Sequence, residues 1–207
     1  MQISFNKFNQ LETPVLTVCN PNSEATVMGG KVTVSSAFGI LTGAKKISLT
    51  PNFNSQWELS FEYSDSSNHH IHSLYNKLEK GYHVYASDVG YFIIDDYAKH
   101  SSDERNYKVL SCHSVDKEIE NNTCPLLDEG SYYCYTKGDR EGVIQKQMAL
   151  LPKWKLGFVS DGLKEKTAYF DGENKSNNAY EFLWQEIEEA YECVIDVDLI
   201  SRTLSFY

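Results

Sequence analysis

The sequence has no internal repeat, low-complexity tract or heptad pattern, and no apolar run approaches the roughly 20 residues that a membrane-spanning helix needs. Its amino terminus, Met1–Gln10, lacks the basic and apolar regions of a secretory signal peptide. These absences predict a soluble protein that is made in the cytoplasm and has no membrane partner.

Paired cysteines are also missing. The five cysteines are odd in number, lie far apart and include no C-x-x-C pair: Cys19, Cys112, Cys124, Cys134 and Cys193. A small secreted domain would be expected to show a disulfide framework. We therefore expect reduced thiols.

Positive charge is in short supply. The chain has 19 lysine and arginine residues against 29 aspartate and glutamate residues, a net charge of -10 at pH 7. Because affinity for nucleic acid comes mostly from basic side chains that neutralise phosphates, we expect no specific binding of DNA or RNA.

The sequence motifs of common enzymes are absent as well. There is no G-x-S-x-G, no H-E-x-x-H, no phosphate-binding glycine-rich loop and no dinucleotide fingerprint. The histidine cluster His69, His70 and His72, with Asp65 close by, could hold a metal ion through nitrogen and oxygen. Adjacent histidines on a polar loop rarely converge on one ion, so a solvated loop is the favoured interpretation.

A thiol and an imidazole lie side by side at Cys112 and His113. Neighbouring residues of a strand point to opposite faces, so this pair cannot form a nucleophile–base contact by itself.

Two groups of acidic residues complete the candidates. Asp196 and Asp198 share one face of a predicted strand and could touch a cation, but the calcium-loop pattern is absent. General acid–base catalysis would suit the acids that follow an apolar strand, namely Asp95, Asp96, Asp103 and Glu104. Strand-end acids are more often solvated, so we predict no catalytic residue, no cofactor and no metal.

What the sequence does contain is apolar and aromatic side chains. Hydrophobic residues make up 41%, and the 14 Tyr and 10 Phe set against 12 Gly and 5 Pro favour strands. The clearest strand has Trp57, Leu59, Phe61 and Tyr63 on one face. The predicted strands of this half are Thr13–Val18, Lys31–Val34, Lys45–Thr50, Gln56–Tyr63, Tyr82–Ala86, Tyr91–Asp95 and Tyr107–His113, with one short helix over Ile71–Leu78.

Helices become more frequent after His113. We predict strands at Ser131–Thr136, Trp154–Ser160 and Lys166–Phe170, the last two paired around the turn Asp161-Gly162, and a helix at Val143–Leu151. A second helix runs to Tyr191 and starts near Asn178, which forms a capping-box pattern with Glu181. Cys193–Asp198 and Thr203–Phe206 read as a closing hairpin.

The predicted fold is therefore α+β and β-rich. Residues 1–113 would form a barrel-like antiparallel domain, and residues 114–207 a smaller α+β domain.

Four segments carry a family resemblance. They are Gln56–Tyr63, Gly90–Asp95, Tyr107–His113, and a carboxyl-terminal series made of Trp154–Phe158, Phe170, Ala179–Leu183 and the closing hairpin. In this order they resemble the amino-terminal region of phage and prophage tail proteins of the tail-associated lysin or prophage endopeptidase-tail family. That family is related to the baseplate hub proteins of long-tailed phages.

The resemblance spans about Gln56–Tyr207 and implies a structural virion component, the first part of a tail-tip hub that joins the tail tube to distal parts. It implies other tail proteins as partners, a homotrimer in the full assembly, and a ring through which DNA passes. The protein would be made in the bacterial host cytoplasm and would reside in the virion tail. No enzyme activity is implied, because the peptidase or lysin domains of that family lie downstream of this region.

Two other functions remain open on the residues alone. One is a metal-dependent hydrolase that uses the cluster His69–His72 and nearby acids. The other is a carbohydrate- or receptor-binding β module that uses exposed tyrosine and tryptophan.

Overall fold

The computed structural model of the protein describes residues 13–28, 31–52, 56–67, 70–101, 105–173 and 175–207. The chain divides into two compact units. Unit 1 comprises the residues up to Val115 together with Leu199–Ser201, and unit 2 comprises Asp116–Asp198 with Arg202–Tyr207. The predicted α+β, β-rich class is confirmed. Among the described residues, no helix is both long and apolar enough to cross a membrane.

Unit 1 is built on an antiparallel sheet of seven strands in the order β4-β1-β9-β10-β11-β6-β5. The hairpins β2–β3 and β7–β8 form two separate two-stranded sheets. A 3-10 helix covers Ser73–Lys77. The strands are β1 (Leu16–Cys19), β2 (Ala25–Met28), β3 (Lys31–Val34), β4 (Ala37–Ile40), β5 (Lys45–Thr50), β6 (Glu58–Ser64), β7 (Ser66–Ser67), β8 (His70–Ile71), β9 (His83–Ala86), β10 (Gly90–Ser101) and β11 (Asn106–Ser114).

The predicted antiparallel sheet is thus present, but it is open rather than closed into a barrel. Strands β4 and β5 lie at its two ends and do not pair with each other in the part of the chain that the structure describes. Strand β4 is only four residues long, and β5 carries a bulge between Lys45 and Ser48. Short and bulged strands of this kind end a ladder instead of continuing it.

The core of unit 1 follows the alternation seen in the sequence. Leu59, Phe61 and Tyr63 of β6 are all at most 3% exposed, as the pattern predicts. Strand β10 is much longer than predicted, because a bulge between Ile94 and Asp96 lets it continue past its two aspartates to pair with β11 as far as Ser101.

Unit 2 contains two small sheets and several helices. Strand β12 (Glu129–Tyr133) pairs with β14 (Thr167–Asp171), while β13 (Lys155–Val159), β16 (Thr203–Phe206) and β15 (Ile195–Asp198) form a three-stranded sheet in that order. The helices are the 3-10 helix Val115–Asn121, α1 (Val143–Ala149), α2 (Asp161–Lys164), α3 (Ala179–Glu181), the π-helical turn Phe182–Ile187 and α4 (Glu188–Tyr191).

The predicted hairpin around Asp161-Gly162 is wrong. Helix α2 occupies that turn and buries Leu163. Strand β13 instead pairs in parallel with β16, and β14 pairs with β12. Asp161 and Gly162 are compatible with either a hairpin turn or the first turn of a helix. The helix is the conformation that buries Leu163.

The carboxyl-terminal helix and hairpin are confirmed. The Asn178 side chain accepts a hydrogen bond from the Glu181 N–H at 2.9 Å, which starts the helix where the capping pattern placed it. The Glu181 carboxylate reaches back to the N–H of Asn177 at 2.8 Å, one residue earlier than a capping box requires. The hairpin pairs Ile195 with Phe206 in antiparallel register.

Candidate functional site

Strand β4 forms one end of the large sheet in unit 1, and it is the candidate functional site there. One side of it pairs with β1, joining Thr17 to Ile40 and Val18 to Gly39. No strand among the described residues pairs with its other side. Such an edge presents unpaired backbone groups on which another chain can add a strand.

Exposed apolar side chains collect at this edge. Val15, Phe38 and Ile40 are 52%, 39% and 54% exposed, and they are the exposed large hydrophobic residues that the structure describes in unit 1. All three lie at or beside the pairing of β1 with β4, since the Leu41 N–H donates to the Leu16 carbonyl at 2.8 Å. We name Val15, Phe38 and Ile40 the apolar edge.

The apolar edge is held in place by unit 1 itself. The centroid of the Phe38 ring lies 5.9 Å from that of the Tyr82 ring and 4.9 Å from the Lys77 ammonium. The Val15 N–H donates to the Ser87 hydroxyl at 2.8 Å. These contacts orient the strand while leaving its outer side exposed.

The opposite end of the sheet is built differently. Strand β5 carries the exposed Lys45 and Lys46, and Lys46 Nζ contacts a Glu62 carboxylate oxygen at 2.7 Å. Charged residues and a bulge are what natural proteins place on an edge that must not pair. Among the residues that the structure describes, only the β4 end of this sheet combines an open strand with exposed large apolar side chains.

The histidine cluster is not assembled into a metal site by the described residues. His72 Nδ1 lies 2.9 Å from the Ser64 carbonyl oxygen, which is a hydrogen-bond acceptor and occupies the place that a metal ion would take at this nitrogen. The Asp65 carboxylate accepts from the Asn106 amide at 2.8 Å, and this bond lowers the Asp65 pKa. His69 and the His70 side chain lie outside what the structure describes. Elsewhere among the described residues, no three His, Cys, Asp or Glu side chains are grouped to hold an ion.

Cys112 and His113 point to opposite faces, as predicted. Cys112 is 1% exposed, and burial raises the pKa of its thiol, which disfavours the nucleophilic thiolate. His113 Nδ1 faces the Asp95 carboxylate at 3.6 Å. The pair therefore has no geometry for nucleophilic catalysis.

The acidic candidates that the structure describes lie on strands β10 and β15. Asp96 is exposed and accepts from the N–H of the next residue, Tyr97, at 2.8 Å. Asp103 and Glu104 lie outside the described residues. Asp196 and Asp198 share the exposed face of β15, as predicted. All five cysteines are free thiols.

A buried lysine was missed by the sequence analysis. Lys108 is 1% exposed, and its ammonium contacts the Tyr75 carbonyl at 3.2 Å, the Leu78 carbonyl at 2.6 Å and a Glu79 carboxylate oxygen at 2.8 Å. Three oxygen acceptors match the three N–H groups that an ammonium can donate. The sequence signal for its burial is that Lys108 lies on the same strand face as the apolar residues Leu110 and Cys112.

Strand β4 was missed as well. The short run from Ala37 to Ile40 follows a Ser-Ser turn and contains one aromatic and one β-branched residue, which was the available sign. Its four residues are too few to show a period.

No protein-family model and no curated protein matches the chain. Solved structures do match. Prophage tail protein gp18 of Listeria monocytogenes matches with a TM-score of 0.58 and 13% identity, over 93% of this chain and 50% of that one. A tail protein of Neisseria meningitidis matches with a TM-score of 0.54 and 11% identity, over 94% of this chain and 50% of that one. The 43 kDa tail protein of prophage MuSo2 from Shewanella oneidensis matches with a TM-score of 0.50 and 13% identity, over 94% of this chain and 55% of that one.

The fold of the chain is that of these three tail proteins. The resemblance noted in the sequence is thereby confirmed at the level of fold, because identities of 11 to 13% carry no information about individual residues. The chain spans about half the length of the tail proteins that it matches.

Proposed function

We propose that the chain is a structural part of a phage or prophage tail, the amino-terminal part of a tail-tip or baseplate hub protein that joins the tail tube to distal tail parts. The observation that carries this proposal is the fold shared with three tail proteins over more than nine-tenths of the chain. In this proposal the protein resides in the virion tail, and its partners are other tail proteins.

The apolar edge supports an assembly function. A monomeric protein with an open strand edge lined by apolar side chains is at risk of uncontrolled pairing, so such an edge is expected to be covered by a partner. We propose that β4 forms a subunit interface in a homotrimeric ring through which DNA passes.

The proposed role is not enzymatic. The Cys112 thiol is buried and the Lys108 ammonium contacts three oxygen acceptors, so neither group supports an activated nucleophile among the described residues. Any peptidase or lysin activity would then belong to other domains of a tail protein.

Deletion of the coding region for these residues from the phage or prophage genome tests the proposal. We expect particles without functional tails in electron micrographs, and complementation with the intact region should restore them. Infectious particles with normal tails after the deletion would contradict a structural tail function.

The interface is tested separately by Ile40→Lys, which places a charge on the apolar edge. The matched control is Thr50→Lys, an exposed position on the opposite end strand β5. We expect tail assembly to fail with Ile40→Lys and to proceed with Thr50→Lys. Equal assembly by both variants would remove β4 from the interface and leave the deletion test unaffected.

A further inference from the structure

The three-stranded sheet of unit 2 has one buried face and one exposed face. Val159, Ile195, Leu204 and Phe206 are at most 5% exposed and form the inner face. Side chains alternate along a strand, so the residues between them point the other way. Along β15 and the residue before it, Val194, Asp196 and Asp198 are all exposed.

Three apolar residues meet at one end of the exposed face. Phe158, Val194 and Tyr207 are 55%, 62% and 53% exposed. Val194 and Tyr207 exchange backbone hydrogen bonds at 3.1 and 3.0 Å, and the rings of Phe158 and Tyr207 lie 5.4 Å apart. We name Phe158, Val194 and Tyr207 the apolar platform.

The backbone of β13 is shaped to present the platform. Its register against β16 shifts between Leu156 and Val159, and the Phe158 N–H donates to the Ser205 hydroxyl at 3.2 Å. Gly157 lies so close to its neighbour that an added Cβ would stand 2.5 Å from the Ser205 hydroxyl oxygen. The space beside the Gly157 Cα is therefore filled by the Thr203 and Ser205 side chains of β16, which requires glycine at this position of the strand.

Negative charge borders the platform. Asp196 and Asp198 follow Val194 on the same face, and the Glu192 side chain, two residues before Val194, is 88% exposed. From Ser176 to Ser201 the chain has seven acidic residues and no lysine or arginine. Two lysines lie nearby: Lys155 is exposed on β13, and Lys166 Nζ contacts the Glu192 carboxylate at 3.6 Å. Unit 2 as a whole has 18 carboxylates and 10 basic residues, a net charge of -8.

We infer that the apolar platform docks a basic segment of another protein, one that carries an aliphatic or aromatic anchor among lysine or arginine residues. The anchor would cover Phe158, Val194 and Tyr207, and the basic residues would face Asp196, Asp198 and Glu192. A second copy of the chain is disfavoured as the occupant, because it would bring another acidic border against the first. This inference goes beyond the proposed tail function and does not depend on it.

Binding of a synthetic peptide measures the inferred interaction. The probe is a fluorescent peptide that alternates lysine with leucine and phenylalanine, followed by fluorescence anisotropy. Two controls replace its leucine and phenylalanine by serine, or its lysines by glutamate. We expect binding of the first peptide only, with an affinity that falls as salt rises.

Variants locate the site. Phe158→Ser and Val194→Ser should each weaken binding by about tenfold, the size of effect that removal of an interface anchor produces. The matched control is Tyr169→Ser, an equally exposed aromatic residue on β14, which should change binding less than about twofold. The double variant Asp196→Asn, Asp198→Asn should reduce the salt dependence of peptide binding, because it removes two of the carboxylates that would face the lysines. Circular dichroism melting of each variant verifies that the fold is retained.

Three outcomes would overturn the inference. They are equal binding of the lysine–serine peptide, equal weakening by Tyr169→Ser, and a concentration-dependent dimer in sedimentation velocity that Phe158→Ser abolishes. The last outcome would show that a second copy occupies the platform.

Discussion

Lys108 shows what a single buried charge does in unit 1. Its ammonium is 4.8 Å from the Tyr75 ring centroid and 4.5 Å from that of Tyr97, and the Tyr97 hydroxyl donates to Glu79 at 2.5 Å. Hydrogen bonds from Lys108 and from Tyr97 lower the pKa of Glu79, and the bond from Lys108 has the larger effect. One lysine thus links the 3-10 helix region to strands β10 and β11.

We expect Lys108→Met to destabilise the chain by on the order of 3 kcal/mol, because it removes the ammonium that the Leu78 carbonyl, the Tyr75 carbonyl and a Glu79 carboxylate oxygen accept from. The exposed Lys99→Met, on the neighbouring strand β10, is the control and should change the free energy of unfolding by less than about 0.5 kcal/mol. Denaturant titration of both variants measures the difference. A loss for Lys108→Met no larger than that of the control would mean that the buried network contributes little.

Glu188 supplies a pH prediction. Burial raises its pKa above the usual 4.5, while its carboxylate accepts from the Ile195 N–H at 2.9 Å and opposes the shift. The folded state then holds the proton more tightly than the unfolded state, so stability falls as pH rises from about 4.5 through the raised pKa.

Glu188→Gln keeps an acceptor for Ile195 and removes the titration. We therefore expect the variant to gain stability relative to the parent at pH 7 and to lose that advantage near pH 4. Thermal melts across this range measure it, with the exposed Glu189→Gln as control. An advantage that does not change with pH would contradict the assignment.

At the scale of elements, the helix Ala179–Tyr191 with its π-helical turn is the clearest case of local prediction. Phe182, Leu183 and Ile187 are at most 2% exposed, as the three- and four-residue spacing predicts. The Tyr191 ring lies 6.2 Å from the Phe170 ring of β14, so the helix packs on the strands of its own unit.

Leu183→Ala should cost about 2–5 kcal/mol, because the side chain is fully buried and its removal leaves a cavity. Gln185→Ala, at an exposed position of the same helix, controls for helix propensity and should be nearly neutral. Denaturant titration compares the two, and a loss near zero for Leu183→Ala would refute the assignment of the buried face.

The sequence predicted the elements whose causes are local. The alternation of Leu59, Phe61 and Tyr63 and the cap at Asn178 are both set within a few residues. Pairing partners are set by distant residues, which is why the parallel pairing of β13 with β16 and the length of β10 were missed. The apolar edge was missed for the same reason, since a strand is recognised as an end strand only when its neighbours are known.

At the scale of the whole molecule, the sequence predicted separate domains over residues 1–113 and 114–207. The two compact units of the structure divide between Val115 and Asp116, except that Leu199–Ser201 belongs to unit 1. Independent folding of the two parts stays a prediction, because compactness alone does not establish it.

Limited proteolysis tests that prediction. The residues next to the division are buried, with Val115, Asp116 and Ile119 at most 4% exposed, whereas Leu126 a few residues later is 89% exposed. Proteases cut exposed, weakly packed backbone first, so we expect the earliest cuts between residues 121 and 128 and a larger fragment that keeps its circular dichroism. Strand β6 is the internal control, since its buried residues Leu59 and Phe61 should protect it. Cleavage within Trp57–Tyr63 before any cut in 114–128, or loss of all structure after the first cut, would show that the chain folds as one cooperative domain.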